Sequence, residues 1–344
     1  MTHLTYLEAA VVGLFQGISE MFPVSSLGHS VLLPAIVGGS WARDLNVAAP
    51  ESPYLAFIVG LHVATAIALL IYFWRDWVRI VGGFFSSIRE GRVVTADQKL
   101  AWMIILATIP VGIVGLAFEH AFRVIFGKPI LAGIFLAVNG VILLAGERYR
   151  TSASLAADAA IAAAREPAAA LTAEGLTAEG LTAEGLTAGR LAAGPYSAGG
   201  QDLRRPEESE TVQADARLAL MSYPRAVAIG SAQILALLAG ISRDGVTMVA
   251  GMMSLSRQDA ARFAFLLATP VILAAGALKI PDLLGPLGHG IRGQIVLGSV
   301  LSGVGAYLAV RFLLRYLRTR SLTPFGVYCL VAGVASIIYL GLVK

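Results

Sequence analysis

The sequence has little charge and almost no cysteine. Charged residues make up 14% of the 344 residues, whereas hydrophobic residues make up 57%. This balance excludes a soluble globular domain, in which roughly a quarter of the residues are charged. The one cysteine, Cys329, excludes a disulfide framework and a cysteine-based metal site. The chain is therefore predicted to be an all-α, multi-pass integral membrane protein, with no nucleic-acid partner.

Six apolar segments have nearly the length that a helix needs to cross a bilayer core of about 30 Å. They carry almost no charge and are predicted to be transmembrane helices. They cover residues 54–73, 101–118, 130–146, 263–277, 295–314 and 325–343.

Arginine and lysine are unevenly distributed among the connections between these segments. Five lie in residues 74–99, three in residues 315–323 and eight in residues 147–225. Because positively charged loops stay on the inner side of the membrane, these three connections are predicted to be cytoplasmic loops.

Two further apolar regions are interrupted by polar motifs with proline or glycine: residues 4–37, the first hairpin, and residues 226–255, the second hairpin. Each is predicted to be a re-entrant pair of half-helices, because non-helical backbone at membrane depth is tolerated only where it is buried in protein or lines a wet cavity. The first enters from outside and the second from the cytoplasm. A shift of 217 residues places Gln16 on Gln233 and Ser25 on Ser242. We therefore expect an inverted-topology repeat.

The repeat divides a single membrane domain into residues 1–150, the first repeat, and residues 216–344, the second. Between them, residues 151–215 contain a tandem LTAEG pentapeptide that begins at Leu171. Because a glycine recurs every five residues, no stable packed helix is expected there. The segment is predicted to be a mostly disordered cytoplasmic insertion without chemistry of its own.

The first hairpin carries Glu20, Ser25, Ser26 and His29 within an otherwise apolar stretch. Ionisable side chains inside a membrane are costly and usually functional. Glu20 is a candidate base or metal ligand. Ser26 is a candidate nucleophile if a nearby base takes its proton, and His29, three residues later, is a candidate for that role if the loop folds back.

The second hairpin carries the motif GISRDGVT, in which Arg243 stands beside Ser242, Asp244, Gly245 and Thr247. A guanidinium group matches the geometry of phosphate oxygens, and glycine lets backbone amides approach a ligand. Half-helix N-termini also favour anions. The two hairpins together predict a phosphate site.

Two more polar side chains are candidates for contact with the substrate. Gln16 lies one turn before Glu20, and His62 lies in the middle of the first full span. A histidine that only packs within the span is an equally open interpretation of His62.

The run GISE followed by FPVSSLGH, its pairing with GISRDGVT, and the FWR that ends the first full span resemble the undecaprenyl-diphosphate phosphatase family of the bacitracin-resistance type. The resemblance covers the whole chain except residues 151–215. It implies removal of the terminal phosphate from the C55 isoprenoid diphosphate in the bacterial plasma membrane. The lipid carrier of peptidoglycan synthesis is thereby recycled.

The resemblance also implies roles for individual residues. The catalytic set of the family falls on Glu20, Ser26, His29 and Arg243, and Glu20 is the candidate metal ligand. A divalent cation, Mg²⁺ or Ca²⁺, is implied as cofactor and a polyprenyl diphosphate lipid as partner. A monomer and a homodimer both stay open.

Three positions depart from the family pattern. Gln16 stands where the family has a first glutamate, Ala239 where it has a proline, and Asp244 where it has a serine. Asp244 either restores the missing carboxylate from the other hairpin or weakens phosphate binding. The alternative function is therefore a polyprenyl-phosphate transporter, a flippase without full catalytic activity.

Overall fold

The computed structural model describes residues 4–45, 53–126, 128–173, 206–253, 255–285 and 290–343, and the regular secondary structure in those ranges is helical. The first half contains α1 (Tyr6–Met21), α2 (Ser26–Val37), α3 (Gly39–Asp44), α4 (Pro53–Tyr72), α5 (Trp74–Glu90), α6 (Ala96–Phe126) and α7 (Pro129–Ala173). The second half contains α8 (Pro206–Ala219), α9 (Tyr223–Ser231), a 3-10 helix (Ala232–Leu237), α10 (Arg243–Met252), α11 (Arg257–Leu284), α12 (Arg292–Tyr316) and α13 (Thr323–Val343).

Five helical segments are long and apolar enough to cross a membrane: Ala96–Phe118, Pro129–Ser152, Arg257–Leu278, Arg292–Tyr316 and Thr323–Leu342. They coincide with five of the six predicted spans. The sixth predicted span lies in α4, which passes the same test only together with α5, from which it is bent by 84°. The chain is thus an all-helical, multi-pass membrane protein with five candidate spans in the described residues.

Helix α5 begins inside the stretch that the sequence predicts to be a cytoplasmic loop, residues 74–99. Trp74, Val78 and Phe85 lie exposed along one side of this helix, whereas Ile80 is buried against the protein. The loop prediction is wrong for this helix, because its arginines alternate with apolar residues at helical spacing. A helix with a continuous exposed apolar stripe and basic residues beside it is typical of the membrane interface.

The two predicted hairpins are both broken helices. Between α1 and α2 the chain leaves helical geometry after Met21, and between the 3-10 helix and α10 it does so after Leu237. A serine caps the helix that follows each break. Ser25 Oγ accepts from the Gly28 amide, and Ser242 Oγ accepts from the Gly245 amide, both at 3.2 Å. Ser25 and Ser242, which the 217-residue shift superimposes, therefore have the same capping role.

The two breaks lie against each other. The amide of Gly240 donates to Ser25 Oγ at 3.2 Å, and a Cβ placed on Gly28 would lie only 2.7 Å from the Cα of Gly240. Asn139, on α7, bridges the breaks: its Nδ2 donates to the Pro23 carbonyl at 2.9 Å, and its Oδ1 accepts from the Ser242 amide at 3.0 Å. The motifs at the breaks therefore meet in one place.

Helices outside the breaks pack in matching pairs. α1 packs on α12 and α9 packs on α6, while α4 packs on α11 and α7 packs on α13. The last pair is very close, because a Cβ on Gly140 would lie 2.5 Å from the nitrogen of Leu330. Members of these pairs also pack on the helices that begin at the breaks, since α7 contacts both α2 and α10, and α11 contacts α10.

The segment 151–215 differs at both ends from the disordered insertion that the sequence predicts. α7 continues to Ala173, since residues 151–170 are rich in alanine, a strong helix former, and contain no glycine. At the other end α8 is docked onto the spans, because Asp215 accepts from Arg79 at 2.5 Å and from Arg262 at 2.8 Å. Residues 174–205, with most of the pentapeptide repeats, lie outside the described residues. The domain boundaries stay a prediction.

Candidate active site

Glu20 is buried in the last turn of α1 and joins the two hairpins. Ser26, the first residue of α2, donates its hydroxyl hydrogen to Glu20 Oε2, and Arg243, the first residue of α10, donates from Nη2 to Oε1. His62 Nε2, from α4, lies 3.3 Å from Glu20 Oε2. One carboxylate therefore contacts three of the polar side chains that the sequence singled out.

Gln16 lies one turn before Glu20 and faces the same carboxylate. Its Nε2 donates to Glu20 Oε2 at 3.4 Å, while its Oε1 accepts from Ser302 on α12 at 2.5 Å. Because Ser302 engages the amide oxygen, the amide nitrogen is directed towards Glu20. An amide at this position supports a charged Glu20, whereas a second carboxylate would repel it.

The starts of α2 and α10 place positive partial charge beside this cluster. The first amides of a helix have no partner within the helix, and the helix dipole is positive at that end. Ser25 and Ser242 each satisfy one of these amides through their caps, and Gly245 is buried at the start of α10. The Nε of Arg243 is buried and has no hydrogen-bond partner among the described residues. This corner of the molecule is suited to an anion.

The predicted pairing of Ser26 with His29 is not formed. Ser26 donates to Glu20 instead. His29 Nδ1 lies 2.7 Å from the carbonyl oxygen of Ser25, one turn earlier on the same helix, and its Nε2 lies 2.9 Å from the hydroxyl of Tyr328. Residues three positions apart share a helix face, but here Glu20 takes the Ser26 hydroxyl, and Ser25 and Tyr328 take both ring nitrogens of His29.

Asp244 and Thr247 are buried at the start of α10 but lie outside the hydrogen-bonded cluster around Glu20. The hydroxyl of Thr247 donates to the Arg243 carbonyl at 2.7 Å. Asp244 Oδ1 is buried without a hydrogen-bond partner among the described residues. Their roles in substrate binding stay predictions.

Three residues at the site were not predicted to be functional. Asn139 bridges the two breaks, Ser302 orients Gln16, and Tyr328 contacts His29. Asn139 could have been identified from the sequence, since burying an isolated amide in an apolar span costs free energy unless the amide is hydrogen bonded. The sequence did not distinguish Ser302 and Tyr328 as functional, because both residue types are common on membrane helices.

The described residues do not provide a set of protein ligands for the predicted divalent cation. Both oxygens of Glu20, the predicted ligand, are already engaged by Arg243, Ser26 and other donors. No group of three or more histidine, cysteine, aspartate or glutamate side chains in the described ranges is arranged to hold a metal ion. These residues alone do not fit a cation site.

Comparison with known proteins agrees with this arrangement. The model of the family described as bacitracin resistance protein BacA matches residues 9–173 and 196–335. The chain is 54% identical over 341 residues to the undecaprenyl-diphosphatase of Mycolicibacterium paratuberculosis, covering 99% of each. It is 52% identical over 342 residues to undecaprenyl-diphosphatase 2 of Frankia alni, covering 97% of each, and 35% identical over 340 residues to undecaprenyl-diphosphatase 2 of Chromobacterium violaceum, covering 97% of the chain and 98% of the relative.

The family match spans both broken helices, and the similar proteins align over nearly their whole length. Both polar motifs of the site, at Glu20 and at Arg243, fall inside the matched residues. The chain belongs to the BacA family of bacitracin resistance proteins.

Proposed function

We propose that this chain is a phosphatase of the bacterial plasma membrane that hydrolyses undecaprenyl diphosphate to undecaprenyl phosphate and inorganic phosphate. The observation that carries the proposal is the position of Glu20, which accepts a hydrogen bond from Ser26 on one broken helix and from Arg243 on the other. A base, a nucleophile and a phosphate-binding cation are thus in contact. Relatives that are named undecaprenyl-diphosphatases support the choice of substrate.

The diphosphate binds at the starts of α2 and α10. The guanidinium of Arg243 has donor capacity beyond its contact with Glu20, since its Nε has no partner among the described residues. Amides at two helix starts add partial positive charge. Ser25, Ser242 and Gly245 shape these helix starts. Gln16 and His62, which face Glu20, are candidates for contact with phosphate oxygens.

The chemical step begins with Ser26. Glu20 takes the proton from the Ser26 hydroxyl, and the Ser26 oxygen attacks the terminal phosphorus. The bond between that phosphorus and the bridging oxygen breaks, and undecaprenyl phosphate leaves with the bridging oxygen. Water then cleaves the phosphoserine, phosphate is released, and Glu20 returns the proton to Ser26. Arg243 neutralises charge on the transferring group, the contribution that phosphoryl transfer most needs from a protein.

We propose, as the finer architecture, six transmembrane helices and two re-entrant hairpins in an inverted repeat. Close helix contacts support it. A Cβ on Gly13 would lie 2.5 Å from the carbonyl oxygen of Gly298, where α1 meets α12. Gly230, superimposed on Gly13 by the 217-residue shift, meets the Ala107 carbonyl, where α9 meets α6. The corresponding helices of the two halves thus use corresponding glycines.

No step of this mechanism uses a cation. The divalent cation implied by the family resemblance and the homodimer both stay predictions.

Phosphate release by the purified full-length protein in detergent tests the function. We expect the wild-type protein to release phosphate from undecaprenyl diphosphate, and Ser26→Ala to lower the rate by about a thousandfold or more, since loss of a serine nucleophile lowers kcat by roughly a millionfold in a serine protease. Ser30→Ala is the matched control. Ser30 lies one turn later on α2, and its hydroxyl donates to the Ser26 carbonyl at 3.0 Å.

Other outcomes contradict parts of the proposal. Near-normal release by Ser26→Ala would show that water attacks phosphorus directly, with Glu20 as its base. A wild-type protein that binds the lipid but releases no phosphate would favour the polyprenyl-phosphate transporter.

A further inference from the structure

Both ring nitrogens of His29 are occupied in the structure. Nδ1 lies 2.7 Å from the carbonyl oxygen of Ser25, and Nε2 lies 2.9 Å from the hydroxyl of Tyr328 on α13. The His29 and Tyr328 rings are stacked, with centroids 5.8 Å apart and planes 9° from parallel. Tyr328 therefore contacts His29 through both its ring and its hydroxyl group.

The carbonyl of Ser25 decides which nitrogen of the neutral ring carries hydrogen. A carbonyl oxygen only accepts hydrogen bonds, so Nδ1 is the donor. Nε2 then has a free electron pair and accepts from the Tyr328 hydroxyl. Consequently Nε2 is the only nitrogen through which His29 can take up a proton, and Tyr328 is the residue that occupies it.

A hydroxyl group suits this position because it can either donate or accept a hydrogen bond. It donates to Nε2 while the ring is neutral, and it turns to accept from the new N–H when the ring has gained a proton. The contact between His29 and Tyr328 therefore persists through a proton transfer. A residue that only donates or only accepts would lose the contact in one of the two states.

The surroundings of His29 make Tyr328 the side chain that orients it. His29 is 8% exposed. Its other aromatic neighbour is Phe15 on α1, at 5.3 Å between ring centroids and 54° between planes, so it offers no polar group to Nε2. Ser25, which holds Nδ1, also caps Gly28 and accepts from the Gly240 amide at the contact between the two broken helices.

We propose that Tyr328 is a positioning residue for His29 in the phosphatase reaction. It holds the imidazole in one orientation, with hydrogen on Nδ1 and its own hydroxyl group on Nε2, and it stays bonded to Nε2 in either protonation state of the ring. The inference rests on the proposed phosphatase activity.

Tyr328→Phe removes the hydroxyl and keeps the stacked ring. We expect kcat for phosphate release to fall about three- to tenfold, the effect of one hydrogen bond, with little change in KM. Tyr339→Phe is the matched control. Tyr339 lies on the same helix, and its hydroxyl lies 3.4 Å from the Ile36 carbonyl on α2. We expect wild-type kcat and KM from this control.

A double-variant cycle separates positioning from general packing. In a His29→Gln background, Tyr328→Phe has no histidine to position, so we expect no further loss of kcat. An equal loss with and without His29, or no loss in either background, would overturn the inference.

Nitrogen NMR of the substrate-free protein, with histidine labelled with ¹⁵N, tests the contact without turnover. His29→Gln assigns the His29 signals. We expect a neutral ring with hydrogen on Nδ1, and an Nε2 signal that shifts in Tyr328→Phe but not in Tyr339→Phe. An unchanged Nε2 signal would overturn the inference even if the enzyme is active. A wild-type protein that releases no phosphate would instead overturn the proposed function.

Discussion

Asn139 is a single amide at the contact between the two broken helices. It is fully buried, and it pairs with the backbone of both breaks, through the Pro23 carbonyl and the Ser242 amide. The backbone groups at a break have no helical partner and no access to water. One side chain therefore satisfies both and fixes the distance between the hairpins.

Asn139→Leu leaves the Ser242 amide without a partner and leaves the Pro23 carbonyl with only the weak donor Cys329 Sγ, at 3.7 Å, among the described residues. Each buried unpaired group costs about 1 to 3 kcal/mol, so we expect the free energy of unfolding to fall by about 2 kcal/mol or more. Phosphate release falls as well, because Ser242 begins the helix that carries Arg243. Thermal unfolding in detergent measures the first effect.

Thr108→Val is the control for that change. Thr108 is a half-buried residue on α6, and its hydroxyl donates to the carbonyl of Ile105 on the same helix at 2.9 Å. We expect its unfolding temperature to match that of the wild-type protein. An Asn139→Leu variant with equally unchanged stability and activity would show that the bridge between the breaks is unimportant.

At the scale of helices, α5 is the element whose environment can be tested most simply. Its exposed apolar stripe contains Val78 and Phe85, whereas the exposed Arg75 lies about 80° further round the helix, on the side that also carries Arg79. We propose that the stripe rests in the membrane interface and that the basic side faces water.

Spin labels on single cysteines at positions 85 and 75, in a Cys329→Ala background, measure this directly. We expect the label at 85 to be more accessible to oxygen, which concentrates in lipid, and the label at 75 to be more accessible to a water-soluble relaxation agent. Equal access of both labels to the aqueous agent would place α5 in water.

The sequence predicted the helices and their breaks better than it predicted which residues contact one another. Long apolar runs predict helices because a bilayer leaves little else, and the breaks followed from polar motifs with proline or glycine. α5 was missed because its arginines were interpreted as a loop signal. The helix beyond residue 150 was missed because glycine repeats further along outweighed a glycine-free, alanine-rich stretch.

Within the site, too, the residues were predicted better than their contacts. Glu20, Ser26 and Arg243 were predicted to act together, and the structure brings them into contact. The pairing of Ser26 with His29 was wrong, because Ser26 donates to Glu20, while Ser25 and Tyr328 take both ring nitrogens of His29. Tyr328 could not be predicted, because it lies 299 residues from His29 and a tyrosine in a membrane helix is an ordinary residue.

At the scale of the whole molecule, the proposed inverted topology places connections on opposite sides of the membrane. Ser40 follows the first hairpin and should face outwards, whereas Arg92, between α5 and α6, and Thr319, between α12 and α13, should face the cytoplasm. The arginine-rich connections agree with this orientation.

Single cysteines at these three positions, in the Cys329→Ala background, test the topology with a maleimide that does not cross membranes. We expect labelling at position 40 in intact cells, and at positions 92 and 319 only after the membrane is opened. Labelling of all three positions from the same side would contradict the inverted repeat.

The central claim is that the two broken helices form one catalytic unit through Glu20. Groups that act as a unit lose their effect together, so their variants are strongly non-additive. The most direct measurement is the rate of phosphate release from undecaprenyl diphosphate by Glu20→Gln, Arg243→Lys and the double variant. We expect the double variant to be no slower than the slower single variant. Losses that multiply would contradict a shared site, because they would show that Glu20 and Arg243 act independently.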